Sequence, residues 1–234
     1  MPPDNFQVGL ERRGRVSWRP FPCPSCGEGR SPGDFLRASF VASEAHFGSK
    51  LDQQIKVETR LLGEWVGSCP HTEIQHLDPP LLAEGSEHSV YLRAEIGQVY
   101  KVTLPGIFGD WYYLKNGVIH QGTSTPFEYL VRLEIWEHLF GREGAAPVPI
   151  GLTSIGQIVT RQKFIESAPA SQIQVEDGLE DDGWVAVKKS AYVWKKAVTK
   201  ELEIWLGDAR DENFALRDGR LIPIDIRLWF VIVI

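Results

Sequence analysis

Three side chains near the C-terminal end of the chain have the types and spacing to do chemistry: Asp208, Asn213 and Asp225. Asp208 and Asn213 stand in a D-x-x-x-x-N relation. Asn213 opens an apolar run, Phe214-Ala215-Leu216, that leads into Arg217-Asp218-Gly219-Arg220 and returns through Leu221-Ile222-Pro223-Ile224 to Asp225. Asp-Gly between two apolar runs is a strong two-residue hairpin signal. With Asp218-Gly219 as the turn, Arg217 lies opposite Arg220 and Asn213 opposite Ile224. Asn213 and Asp225 then meet at the open end of one hairpin, with Asp208 just upstream. Two oxygen ligands for a hard divalent cation stand there beside a carboxylate able to orient a hydroxyl. Mg²⁺ prefers that kind of donor set, completed by phosphate.

The elements that must position these groups begin at residue 81. Residues 81–92, LLAEGSEHSVYL, read as strand, turn and strand, with Gly85 and Ser86 in the turn. Residues 98–103, QVYKVT, alternate as a third strand and carry Lys101. A helix starts at Thr125-Pro126, where Pro suits the first turn. It shows an apolar face of Phe127, Leu130, Val131, Ile135, Leu139 and Phe140, and ends at Gly141. Its carboxylates Glu128, Glu134 and Glu137 are candidate partners for a strand lysine. Residues 148–152 and 157–160 form a strand pair, and Arg161-Gln162-Lys163-Phe164-Ile165 leaves it.

In this order the motifs resemble the protein kinases. There a glycine-rich turn covers the phosphates, a strand Lys in Val-Ala-Ile-Lys holds them, and a helix Glu pairs with that Lys. An Asp in D-x-x-x-x-N accepts the acceptor's proton, and the Asn and a later Asp hold the metals. More closely, the chain is similar to the divergent kinase-like domains of bacterial and mobile-element polyvalent proteins. Three stretches carry that likeness: Leu-Ala-Glu-Gly-Ser-Glu-His-Ser-Val-Tyr-Leu, Thr-Arg-Gln-Lys-Phe-Ile, and Gly-Asp-Ala-Arg-Asp-Glu-Asn-Phe with Pro-Ile-Asp. The resemblance covers residues 81–227.

The resemblance implies an α+β, protein-kinase-like fold with a β-rich N-lobe, one main helix and a much reduced C-lobe. It implies an ATP-dependent phosphotransferase using Mg²⁺, with an unknown phospho-acceptor. Asp208 would be the catalytic Asp, and Asn213 and Asp225 the metal ligands. Lys101, paired with Glu128, would hold the phosphates beneath Gly85 and Ser86. Gln162, Lys163 and Phe164 would line the adenine slot. The departures are specific. Only Gly85 remains of the glycine-rich loop, Gly207 precedes Asp208 in place of His-Arg, and Ile226-Arg227 follows Asp225 in place of Phe-Gly. Nine residues follow Asp225 in this sequence, which leaves out an activation segment and most of a helical lobe. A non-catalytic, ATP-binding pseudokinase is therefore the alternative.

The 234 residues suffice for a real core, and 43% hydrophobic with 24% charged residues is ordinary for a globular chain. A net charge of −6 argues against general nucleic-acid binding. No N-terminal apolar run reads as a leader and no stretch is long enough to span a bilayer, so a cytoplasmic protein without membrane contact is expected. Residues 1–40 form a Pro- and Arg-rich extension. It contains Cys23-Pro24-Ser25-Cys26, which with Cys69 and His71 makes a candidate zinc set of three thiolates and an imidazole. A zinc-containing interaction protein is the third reading. Residues 41–80 are a helical packing segment, the helix running over 43–66. Residues 81–165 form the N-lobe and 166–234 the reduced C-lobe. Within these, residues 106–125 read as an irregular or partly helical insertion and 171–182 as a short acidic helix. Strands are expected at 191–195 and 201–206, and residues 228–234 as a buried strand.

Overall fold

The computed structural model describes residues 51–68, 81–115, 118–141, 145–166, 168–200 and 202–232. These residues form a mixed α+β architecture of antiparallel sheets with three α-helices among them. Helix α1 is Leu51–Ser68; the expected start of this helix at 43 lies outside the described residues. Strands β1 (Leu81–Glu84), β2 (His88–Arg93) and β3 (Gln98–Thr103) follow. Next come β4 (Asp110–Lys115), β5 (Val118–Thr123) and helix α2 (Pro126–Phe140). Strands β6 (Val148–Leu152) and β7 (Ile158–Lys163) complete a five-stranded sheet of order β1-β2-β3-β7-β6.

The second unit opens with helix α3 (Gln172–Asp181), begun by a Ser171–Gln174 capping box. Strands β8 (Val185–Lys188), β9 (Val193–Ala197), β10 (Leu202–Gly207) and β13 (Arg227–Ile232) form a four-stranded sheet of order β13-β10-β9-β8. Between β10 and β13 the chain makes a two-stranded hairpin, β11 (Phe214–Arg217) and β12 (Arg220–Pro223). The register is the expected one: Arg217 faces Arg220, and Asp218 and Gly219 turn with φ of 52° and 73°. Both residues have the positive φ that a type I′ turn needs.

Helix α2 joins the two units because it is apolar on both sides. Tyr129, Leu130 and Leu133 pack with Leu61, Leu62, Phe108, Leu152 and Ile158 beside the first sheet. Val131, Ile135 and Trp136 pack with Val175, Leu179, Trp194, Leu206, Phe214 and Leu228 in the second unit. A helix that packs on both flanks, with only Glu137 and His138 exposed, is a central element and not a surface one. It fixes both sheets relative to one floor, which makes the space between them a defined cleft.

Two expectations change here. Within residues 106–125, the stretches 110–115 and 118–123 are strands and not irregular or helical: β4 and β5 pair antiparallel from Asp110↔Thr123 to Lys115↔Val118. Asn116-Gly117 between them is itself a hairpin signal, and the many aromatics there favour strands. The hairpin is held against β13 by an Arg227–Asp110 ion pair at 2.5 Å. Strand β8 had no counterpart in the sequence reading, whereas β13 did. Leu228, Trp229 and Val231 are buried, and Trp205 pairs with Trp229 across β10 and β13. No helix among the described residues is long and apolar enough to cross a membrane.

Candidate functional site

Lys101 is a buried charge at the wall of the cleft. Strand β3 is hydrogen-bonded on both sides, to β2 and β7, and Lys101 itself is 7% exposed. A buried ammonium needs partners. Lys101 Nζ donates to the Ile224 carbonyl at 3.1 Å and to Asp225 Oδ1 at 3.0 Å, and stands 6.0 Å from the Trp136 ring centre. The same Ile224 carbonyl accepts from Gln162 Nε2 at 3.0 Å, and that nitrogen also reaches the Ala145 carbonyl at 2.6 Å. The first sheet thereby grips the loop that carries Asp225. Burial raises the Asp225 carboxyl, but the charge and hydrogen bond of Lys101, with smaller help from His88 and Arg132, outweigh it and leave its pKa below the usual range. Its side chain remains 62% exposed. The result is an ionised carboxylate fixed at one oxygen and open toward the cleft.

Asp208 stands across that cleft at the end of β10. Gly207 precedes it because an added Cβ would meet the Trp229 ring at 3.0 Å. Asp208 adopts a left-handed backbone with φ 61°. Non-glycine residues in that region cost energy and concentrate at functional sites. The turn is held by Asn213 Nδ2 and Arg210 N–H, each donating to the Asp208 carbonyl at 2.8 Å. The Asn213 carbonyl in turn accepts from Ile224 N–H at 2.8 Å and Asp225 N–H at 3.4 Å. Asn213 thus ties the Asp208 turn to the Asp225 loop. With its amide nitrogen committed to Asp208, its side-chain oxygen is the atom a metal would use. The Asp208 carboxylate accepts from Arg210 Nε at 2.7 Å.

A cavity of about 330 Å³ lies between these groups, at the lower end of the range for small-molecule pockets. Gly85 and Ser86 border it from the β1–β2 turn, Lys101 from β3, Arg132 and Trp136 from α2, and Asp208 and Asp225 from the second unit. Asn213 is not among its lining residues. Glu87, next in the turn, forms an ion pair with Arg132 and presses its carboxylate against Gly109. His88 Nε2 and the Tyr129 hydroxyl lie 2.9 Å apart. Burial holds His88 neutral, with its pKa lowered to about 4, and pushes the Tyr129 phenol up. The cavity's fixed cations are therefore lysine and arginine.

The Lys101–Glu128 pair expected from the sequence is not formed. Glu128 closes a capping box instead: its Oε2 accepts from Thr125 N–H at 2.8 Å while its own N–H donates to Thr125 Oγ1 at 3.2 Å. Glu58 of α1 takes the next orphan donor, Phe127 N–H, at 2.8 Å. A helix start leaves such donors to be satisfied, and the capping position of Glu128 outranks a reach to Lys101. Asp225 serves Lys101 in its place. Gln162, Lys163 and Phe164 do not line the cavity: Gln162 points inward as the clamp on Ile224, while Lys163 and Phe164 are exposed. The zinc candidates Cys23, Cys26, Cys69 and His71 lie outside the described residues.

Arg132, Glu87, His88 and Trp136 were not foreseen as site residues. The signal for Arg132 was present: it interrupts an otherwise apolar run, Tyr129-Leu130-Val131-Arg132-Leu133, in a helix lacking a wet face there. Comparisons with protein-family models, curated proteins and solved structures each return no match to this chain.

Proposed function

We propose that the cleft binds a nucleoside triphosphate with Mg²⁺ and transfers its terminal phosphate to a hydroxyl, in the manner of a divergent protein-kinase-like phosphotransferase. The observation that carries this reading is Lys101 Nζ lying 3.0 Å from the open Asp225 carboxylate in a cavity that Asp208 and the β1–β2 turn also border. The order of elements along the chain supports it. Asp225 suits Mg²⁺ because it is a charged oxygen donor kept ionised and open to the cleft, and the Asn213 amide oxygen would be its neighbour in the coordination shell. Bound there, the metal would neutralise phosphate charge. Lys101 holds Asp225 in place and offers its remaining N–H to phosphate oxygens. Asp208 orients the acceptor hydroxyl and takes its proton as the oxygen attacks phosphorus and the nucleoside diphosphate leaves. Arg210 must release the Asp208 carboxylate, or share it, for that step.

That last contact favours a second reading, nucleotide binding without transfer. An Asp208 carboxylate occupied at 2.7 Å by a guanidinium is not free to accept a hydroxyl proton until that contact opens. Quantitative ³²P transfer from labelled ATP to the protein itself and to a panel of peptide and small-molecule hydroxyls separates the two. Transfer by the unmodified chain that disappears in Asp208→Asn supports the phosphotransferase. Binding of ATP with equal, background-level transfer in both supports the second reading.

A further inference from the structure

Helix α2 carries, in two residues that line the cavity, buried donors that nothing among the described residues satisfies. Arg132 is 4% exposed and Trp136 2% exposed, both line the cavity, and neither Arg132 Nη1 nor Trp136 Nε1 has a hydrogen-bond partner among the described residues. The residues are one helical turn apart, so they share a face. Buried donors in folded proteins are nearly always paired, and an unpaired pair at a cavity wall calls for an acceptor. Water alone could serve, but the surroundings specify more. Arg132 Nη2 already grips a carboxylate, that of Glu87, and the guanidinium lies 4.8 Å from the Tyr129 ring centre. That contact and burial restrict the fork to one orientation. Lys101 Nζ stands 6.0 Å from the Trp136 ring centre, which brings a second cation to the same wall.

We propose that Arg132 and Trp136 form an oxyanion subsite that takes a phosphate group of the ligand, with Glu87 as the internal carboxylate that competes for Arg132. This deepens the nucleotide reading, since it gives the phosphate chain donors in the same cavity that Asp225 borders. The chemistry is a guanidinium N–H and an indole N–H donating to phosphate oxygens, a charge-assisted arrangement suited to arginine. It also gives the β1–β2 turn a role that its missing glycines deny it: Glu87 holds Arg132 until phosphate displaces the carboxylate.

The test uses the full chain and two probes, inorganic tripolyphosphate and Mg·ATP, by isothermal titration. Arg132→Gln should weaken tripolyphosphate binding roughly tenfold or more, the usual loss for a hydrogen bond to a charged group. Trp136→Phe, which deletes the N–H but keeps an aromatic ring at the site, should weaken it several-fold. Glu87→Gln should tighten it, because it removes the competing charge. Near-UV circular dichroism checks the fold of each variant; should Arg132→Gln misfold, the opposite signs of Trp136→Phe and Glu87→Gln still decide the matter. Unchanged tripolyphosphate affinity in those two variants overturns the subsite, and Mg·ATP binding that survives alongside leaves the nucleotide reading standing. Arg132-dependent tripolyphosphate binding without any preference for Mg·ATP keeps the subsite and removes the nucleotide reading. No tripolyphosphate binding by the unmodified chain overturns the subsite as well.

Discussion

Glu128 has a pKa raised from 4.5 to about 6, first by burial and then by the nearby Glu58, against the hydrogen bonds from Thr125. A carboxyl whose folded pKa is raised favours folding in its protonated form. Its contribution is fully present below the unfolded value of 4.5 and is lost as pH rises through about 6. A shift of about 1.5 units corresponds to about 2 kcal/mol at most between those limits. Glu128→Gln retains the capping geometry, since Gln serves the same box, and does not titrate. Urea unfolding of both proteins at pH 4.5 and pH 7.5 isolates the effect, because groups common to both cancel in the difference. The variant should gain on the unmodified protein by about 2 kcal/mol between the two pH values, a midpoint change of roughly 1 M for an m-value of about 2 kcal/mol/M. Glu58→Gln should shrink that gain by removing the neighbouring charge. A difference between the two proteins that stays constant with pH would refute the buried, charge-crowded cap.

His88 acts with the opposite sign. Its pKa falls from 6.5 to about 4 through burial, so stability present above 6.5 drains as pH falls toward 4, by about 3 kcal/mol; denaturation of His88→Gln should show a correspondingly flatter acid limb. Gly207→Ala puts a methyl 3.0 Å from the packed Trp229 ring, which is 1% exposed and cannot retreat. It should cost about 1–3 kcal/mol, read as a drop in melting temperature. At the left-handed Asp208, Asp208→Ala should be less stable than Asp208→Gly by about 1 kcal/mol, since only glycine adopts that backbone freely; equal melting temperatures for the two would remove the argument from strain.

The parts of the molecule that sequence could supply were those set by local chemistry. Asp218-Gly219 fixed a hairpin and its register, which brought Asn213 to Ile224 and Asp225 as expected. Alternation placed Lys101 on the third strand and Thr125-Pro126 placed the start of α2. The errors arose where one residue had two possible partners. Thr125-x-x-Glu128 is a capping-box pattern, and the local partner, three residues away, won over the distant lysine. Gln162 sits in a strand whose burial reads Ile158, Val159 and Thr160 inside, Arg161 outside, Gln162 inside; strand period alone would have turned it inward, away from a nucleotide slot. Arg132 was hidden because its partner, Glu87, is 45 residues away in a turn. Long-range ion pairs leave no spacing to read, whereas a charge within a wholly apolar helix does mark a candidate.

Magnesium dependence of ATP binding tests the central claim most directly. If Asn213 and Asp225 hold Mg²⁺ as proposed, they are too few ligands for a tight metal site, and phosphates must complete the shell. ATP at about a hundred times its dissociation constant should stabilise the fold by roughly 2.7 kcal/mol, a melting shift of roughly 5–10 °C. That shift should need Mg²⁺, should fall away with chelator, and should be largely lost in Asp225→Asn, which removes the charged ligand. Asp208→Asn should keep it, because the proposal assigns Asp208 to the acceptor and not to ATP. A melting temperature unmoved by ATP and Mg²⁺, or a shift equally large in Asp225→Asn and in chelator, would contradict the account.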